Sequence, residues 1–191
     1  MFKIHFLGAI FFLFFACNSR DYSPKPRGFH RVVFPEHSYH TPKTGCPFSF
    51  EIPIYSILTT DENRNAMPCW KNLDFPQFNA RLHLSYFNIG PHSTLEQLTE
   101  DARTFVFKHT TMASAIEQKD IFIKEQNIYG LEYEIQGNTA SNYQFFISDK
   151  SKHYLRGALY FNEKPHLDSI QPVLDFVKKD IRHLINSTKW Q

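Results

Sequence analysis

The chain has 191 residues and a formal net charge of +2; 42% of it is hydrophobic and 16% aromatic, with 20 phenylalanines. That length suits one domain with an appendage and can bury a substantial core, and the aromatic content excludes a disordered chain. The near-balanced charge gives no electrostatic support to a nucleic-acid partner.

The first element is apolar. Lys3 supplies a positive charge, and Phe6 to Ala16 is then uncharged and almost wholly apolar. As a helix that stretch spans roughly 16 Å, about half the hydrocarbon core of a bilayer. A charged start, a short apolar stretch and a small residue before the break read as a signal peptide, residues 1–16. The alternative, a buried helix of the folded domain, would put bulky side chains on every side of one short helix. Phe14-Phe15-Ala16-Cys17 resembles the lipobox of bacterial lipoproteins. In those proteins the cysteine thiol receives a diacylglycerol, the peptide is cut before it, and the new amino group is acylated. Ala16 and Cys17 match the pattern; Phe14 stands where an aliphatic residue is usual, and Phe15 is bulky. The resemblance implies lipidation of Cys17 by palmitate-type chains; an ordinary secreted protein is the alternative. Each buried methylene contributes about 0.8 kcal/mol, so two or more long chains hold a protein stably on a membrane. No other segment is long and apolar enough to span a bilayer. Everything after Cys17 is therefore expected in water outside the cytoplasm.

Residues 17–45 read as a tether carrying Pro24, Pro26, Pro35 and Pro42 among polar neighbours. Fully extended, it reaches at most about 95 Å. Phe29 to Phe34 forms an apolar island that could dock on the domain as an edge strand. His30, His37 and His40 lie in this Pro-rich segment, so solvated side chains are expected and no metal site is assigned.

With Cys17 set aside, Cys46 and Cys69 remain. An even pair in an exported protein suggests a disulfide, with reduced thiols as the alternative. The bond would close a 24-residue loop and stabilise by about 3.5 kcal/mol in the chain-entropy model. Zinc is not expected, because no CxxC is present and two thiols need two further ligands.

The globular part is expected over 46–191. Phe48 to Ile52 alternates like a half-buried strand, and Pro53 favours an edge or a break. Asp61 to Asn65 reads as a loop. Arg81 to Tyr86 alternates, with Leu82, Leu84 and Tyr86 towards the core and His83 towards solvent. Ser93 with Glu96 gives a capping-box pattern, followed by Leu95, Leu98, Ala102, Phe105, Val106 and His109 at helical spacing. At the helix carboxyl end a positive His109 is favourable. Ile121–Lys124, Ile128–Gln136, Tyr143–Ser148 and Tyr154–Phe161 read as an antiparallel meander, with turn chemistry at Gly137-Asn138 and Asp149–Lys152. Tyr129, Leu131, Tyr133 and Ile135 share one face, and Glu132 and Glu134 the other. A second helix is capped by Ser169, with Pro172 in its first turn. Ile170, Val173, Leu174, Val177, Ile181, Leu184 and Ile185 form its apolar stripe, and Lys178, Lys179, Asp180 and Arg182 its wet face. The expected fold class is α+β: an antiparallel sheet meander with two amphipathic helices packed on it. The order resembles the PsbP/Mog1 type of fold.

Little in the sequence carries chemistry. GxSxG, HExxH, Walker A and GxGxxG patterns are absent. Glu132 and Glu134 share a strand face, as an acid/base pair would, but an exposed polar sheet face explains them. No catalytic residue, metal or cofactor is assigned, and enzymatic activity is not expected.

Taken as a set, Asp21 to Gly28, Leu82 to Tyr86, Lys108-His109-Thr110 and Leu155 to Asn162 resemble the gliding motility lipoprotein GldD family. So does the layout of lipobox, Pro-rich start, Cys46, Cys69-Trp70 and a terminal helix closing on Lys189-Trp190. The resemblance covers nearly the whole mature chain. It implies a lipid-anchored envelope protein associated with the gliding and type IX secretion machinery, acting as a non-enzymatic assembly or stabilising component. Asn18 to Asp21 lacks the acidic run of surface-export signals in such bacteria, which favours a periplasm-facing position on the inner or outer membrane. The alternative is a periplasmic small-ligand or peptidoglycan-binding lipoprotein using a concave sheet face lined by Tyr143, Phe145, Tyr154, Tyr160 and Trp70. An envelope hydrolase is a third, weaker reading.

Overall fold

The computed structural model describes residues 31–162 and 166–191. The signal peptide, Cys17 and His30 lie outside the described residues. The second of the two units into which the chain divides runs from Val32 to Gln191, and it holds the sheet and both helices.

Its centre is a seven-stranded antiparallel sheet ordered β4-β5-β6-β10-β9-β8-β7. The strands are β4 (Ile57–Thr60), β5 (Lys71–Phe75), β6 (Ala80–Asn88), β7 (Ala113–Ile123), β8 (Ile128–Gly137), β9 (Tyr143–Ser148) and β10 (His153–Phe161). Helix α1 (Leu95–Phe107) joins β6 to β7, and helix α2 (Leu167–Ser187) follows β10. The α+β class expected from the sequence is the class observed.

The two helices lie on opposite faces. Leu98, Ala102 and Val106 of α1 pack with Tyr133, Ile135, Phe146 and Tyr154. Leu174, Val177, Ile181 and Leu184 of α2 pack with Leu82, Leu84, Phe145, Leu155 and Leu159 in the larger core. The strand between them, β9, is therefore buried along its whole length, as a strand covered on both faces must be. Gly157 permits one close approach here: a Cβ would run into the Phe145 ring of the neighbouring strand.

Several boundaries differ from the sequence expectation. Thr94 and Gln97, not Ser93 and Glu96, form the capping box of α1 (Thr94 Oγ1 accepts from Gln97 N at 3.2 Å, Gln97 Oε1 from Thr94 N at 3.1 Å). Ser93 is instead held in a backbone bridge with Gly90. Helix α2 starts before Ser169, which leaves Pro172 inside the helix. The Leu167 amide is taken by Asn138 Oδ1 at 2.9 Å, so a side chain from the β8–β9 turn does what Ser169 was expected to do. Pro172 is exposed, and water can reach the carbonyl its missing N–H leaves unpaired. The strand expected over Ile121–Lys124 begins earlier, at Ala113; its added half is a polar edge held by backbone pairing to β8. Such an edge carries charge rather than apolar alternation. The hairpin β4–β5 was not expected, and the loop at 61–65 connects it.

The Phe48–Ile52 stretch keeps its alternation but divides. β2 (Phe48–Ser49) pairs with β11 (Lys189–Trp190), and β3 (Ile52–Pro53) pairs with β1 (Tyr39–His40). Phe48, Phe50 and Ile52 are 0–1% exposed and complete the α2-side core. Residues 32–45 thus belong to the folded unit, although the composition reads as a tether up to residue 45.

Candidate functional site

Of the polar groups that the sequence puts on the wet face of α2, Lys178 and Asp180 are buried, Arg182 is half-buried and Lys179 is exposed; all but Lys179 fasten other segments to the helix. Asp180 is 1% exposed. It accepts hydrogen bonds from Tyr39 (2.8 Å) and Tyr55, and lies 2.6 Å from His37 Nδ1. Rings close the rest of the contact. Phe34 stacks on Phe176 at 4.7 Å, His37 on the same ring at 4.3 Å, and Tyr39 on His183 at 3.5 Å. His183 Nε2 in turn meets Glu51 Oε2 at 2.6 Å. The chain from Phe34 to Tyr39 is thereby clasped along one flank of α2. His37, expected in solvent, is one of the clasp's three polar contacts. Burial, then the hydrogen bond to Asp180, pushes both Tyr39 and Tyr55 well above the ordinary phenol range, so both stay neutral donors.

With Lys178 and Arg182, the residues two before and two after Asp180, α2 faces β8. Glu132 accepts from Arg182 (2.8 and 3.1 Å) and from Tyr143 (2.5 Å); Glu134 accepts from Arg182 (2.9 Å) and Lys178 (2.6 Å). Glu132 is 7% exposed. The pair expected on an open polar face is thus covered by the helix, and its oxygens are engaged with three cations (Arg182, Lys178 and, at 3.3 Å from Glu134, Lys119) and a phenol. Burial pushes both carboxyls up, but these partners pull them further down, so both titrate below the usual carboxylate range. With the folded values depressed, this network stabilises fully above the unfolded carboxylate pKa and weakens as pH falls through the lower folded values. Arg182→Ala is expected to cost about 1–2 kcal/mol at neutral pH, the guanidinium being partly solvated. Urea unfolding at pH 7 and pH 3 checks this: the difference between wild type and variant shrinks at the lower pH.

The structure holds Cys46 and Cys69 as a disulfide, with Cα atoms 5.6 Å apart. Cys69 sits at φ 68°, and the bond joins the start of β2 to the entry into β5. It ties the amino-terminal layer to the sheet, as the clasp ties it to α2.

The remaining candidates scatter. Tyr143, Phe145 and Tyr154 are 0–1% exposed core residues and cannot line a concave face. Tyr160 and Trp70 are partly exposed, and the Trp70 indole donates to the Tyr86 carbonyl at 3.1 Å. His83 is half-buried rather than solvated, and burial pushes its pKa down. His109 lies beyond α1; burial and then Arg156 push its pKa down, which disfavours the positive charge expected at that helix end. Asp149 Oδ1 takes the amides of Ser151, Lys152 and His153 at 2.8–2.9 Å, which is turn chemistry. Among the described residues, no cluster of three or more His, Cys, Asp or Glu is placed to hold a metal, and no helix is long and apolar enough to cross a membrane. A groove of about 380 Å³ lies between Leu95 of α1, Phe122 of β7 and Tyr129 of β8.

The fold and these contacts define a class: an α+β domain with one helix on each face of an antiparallel sheet and an amino-terminal segment fastened by a disulfide and a buried carboxylate. The sequence profile of the gliding motility lipoprotein GldD matches residues 19–190. The chain belongs to that family, a gliding motility lipoprotein family, as the resemblance implied. Among solved structures it is similar to the solution structure of cyanobacterial PsbP (CyanoP) from Synechocystis sp. PCC 6803. The identity is 15%, the match covers 88% of this chain and 100% of that one, and the TM-score is 0.46. No curated protein matches.

Proposed function

We propose that this protein is a lipid-anchored, periplasm-facing envelope component that assembles or stabilises the gliding motility and type IX secretion machinery without catalysing a reaction. The observation that carries the reading is membership of a gliding motility lipoprotein family over nearly the whole chain. Cys17 is the proposed anchor, carrying palmitate-type acyl chains, and Cys46–Cys69 the proposed oxidised pair of an exported protein. The tether in this reading is residues 17–31, because the chain from Phe34 to Tyr39 is clasped to α2. Fifteen residues reach at most about 50 Å. A body confined that close to a membrane meets its neighbours at raised effective concentration, so each contact can be weak. The non-enzymatic part rests on the use of the polar groups. Glu132 and Glu134, the pair nearest to an acid/base arrangement, are engaged by Arg182, Lys178 and Tyr143.

Affinity capture of the intact lipoprotein from detergent-solubilised membranes tests the reading. Recovery of motility or secretion subunits in stoichiometric amount is expected. Recovery of none, together with saturable binding of a small ligand or peptidoglycan fragment, overturns it in favour of a ligand-binding lipoprotein.

A further inference from the structure

On the sheet face that carries α1, the helix covers β8, β9 and the start of β10, while side chains of β6 further along that face stay half-exposed. Arg156 sits at this boundary. Its Nη2 donates to Gln144 Oε1 at 2.8 Å, and its guanidinium lies 4.4 Å from the Phe105 ring centroid. Arg81 and Arg182 have carboxylate partners, but Arg156 has none among the described residues. Nor does it cap α1: backbone amides of Lys108, His109 and Thr110 take the carbonyls of Thr104, Val106 and Phe107. Gln144 is 1% exposed, and its Nε2 is buried without a partner.

No carboxylate pairs with Arg156 among the described residues; Asp61 and Asp74 act on His83 and Asp101 on Tyr154 only as nearby charges. Burial, then Arg81, lowers the pKa of His83, with Arg156 contributing and Asp61 and Asp74 opposing; burial, then Arg156, lowers that of His109. Tyr154 and Tyr160 flank the guanidinium on its own strand, and Tyr154 is held neutral by burial. Lys108 packs its ammonium over the Phe105 ring and stays exposed. Arg81 is neutralised by Asp74 at 2.6 Å. What remains is one partly buried cation and, on the amide whose oxygen it donates to, one buried donor without a partner. Burying a charge or a donor without a partner is unfavourable. A planar carboxylate matches the guanidinium fork and brings a single negative charge.

We infer that Arg156 and Gln144 form a binding site for a carboxylate-bearing ligand at the open edge of the α1 face, with Phe105 supporting the guanidinium and His83 and His109 on its flanks. The site is independent of the membrane anchor and of the motility reading. Ligand binding neutralises Arg156, which relieves its repulsion of both histidines.

The test is an NMR titration of the full chain in detergent with N-acetylglycine, and separately with inorganic phosphate, following the Arg156 Nε–H and the His83 and His109 ring protons. N-acetylglycine is expected to give saturable shifts and to raise both histidine pKa values, with phosphate binding more weakly. Arg156→Gln is expected to weaken the response at least about tenfold and to raise the His109 pKa without ligand. Gln144→Glu, which puts a carboxylate beside Arg156 within the chain, is expected to raise the His109 pKa and block the ligand. No saturable shift with N-acetylglycine overturns the inference, as does tighter binding of phosphate or an undiminished response in either variant.

Discussion

Asp180→Ala is expected to destabilise the fold by about 3–5 kcal/mol and to free the segment from Phe34 to Tyr39. The substitution removes the one acceptor shared by Tyr39, Tyr55 and His37. Removing one member of a buried, hydrogen-bonded group leaves the others without partners, which is the costly case. Against a total stability of about 5–15 kcal/mol for an ordinary domain, a loss of that size is large. Urea unfolding reads the energy, and limited proteolysis reads the location: new cleavage between residues 34 and 45 appears before the sheet is cut. His37→Ala removes one contact of the three and should lose far less. The same contacts set an alkaline limit. Tyr39 and Tyr55 keep their protons in the folded state well above the ordinary phenol value. Their contribution is therefore fully present below about pH 10, the unfolded phenol value, and is lost progressively as pH rises beyond it. Unchanged proteolysis and stability in Asp180→Ala would show that the ring stacking alone holds the segment.

The paired substitution Cys46→Ser with Cys69→Ser is expected to cost about 3.5 kcal/mol, the closure entropy of a 24-residue loop. The bond spans Cys46 and Cys69 across the loop that contains β2, β3 and β4. Wild-type protein treated with reductant should lose the same amount, and the double variant should be insensitive to reductant. Mass spectrometry of the unreduced protein gives the direct check: two free thiols at Cys46 and Cys69 would remove the disulfide from the account.

The two effects bear on the same layer from opposite sides. The disulfide fixes the chain after Cys46 to the sheet, and Asp180 fixes the chain before Tyr39 to α2. Between them lies the pairing of β1 with β3. Loss of either attachment leaves that layer held by one end. The two losses are therefore expected to be non-additive when combined, since the sites share the segment between them.

The apolar periodicities carried most of the fold. Leu82, Leu84 and Tyr86 on β6, and Leu174, Val177, Ile181 and Leu184 on α2, are buried as their spacing requires, because a single buried face imposes a period on the sequence. What periodicity could not show is a polar group buried by a second layer. Lys178, Asp180 and Arg182 follow the helical period of a wet face, and only the three-dimensional arrival of Tyr39, Tyr55, Glu132 and Glu134 covers them. One signal was present in the supposed tether. Phe34, His37 and Tyr39 are aromatic, unlike the Gly and Ser of a flexible linker, and those rings stack on Phe176 and His183. Prolines in the same stretch masked it. Edge strands such as β7 escaped because backbone pairing needs no apolar side chain. Arg156 lies within the strand Tyr154–Phe161, and nothing in the sequence shows that no carboxylate lies opposite it.

The most direct test of the central claim is metabolic labelling of cells with a clickable fatty acid, comparing the wild-type chain with Cys17→Ser. The account predicts a labelled mature protein retained in the membrane fraction, and an unlabelled, uncleaved or soluble product from the variant. A wild-type protein of mature size that carries no label, or a variant that keeps both its label and its membrane retention, would contradict it.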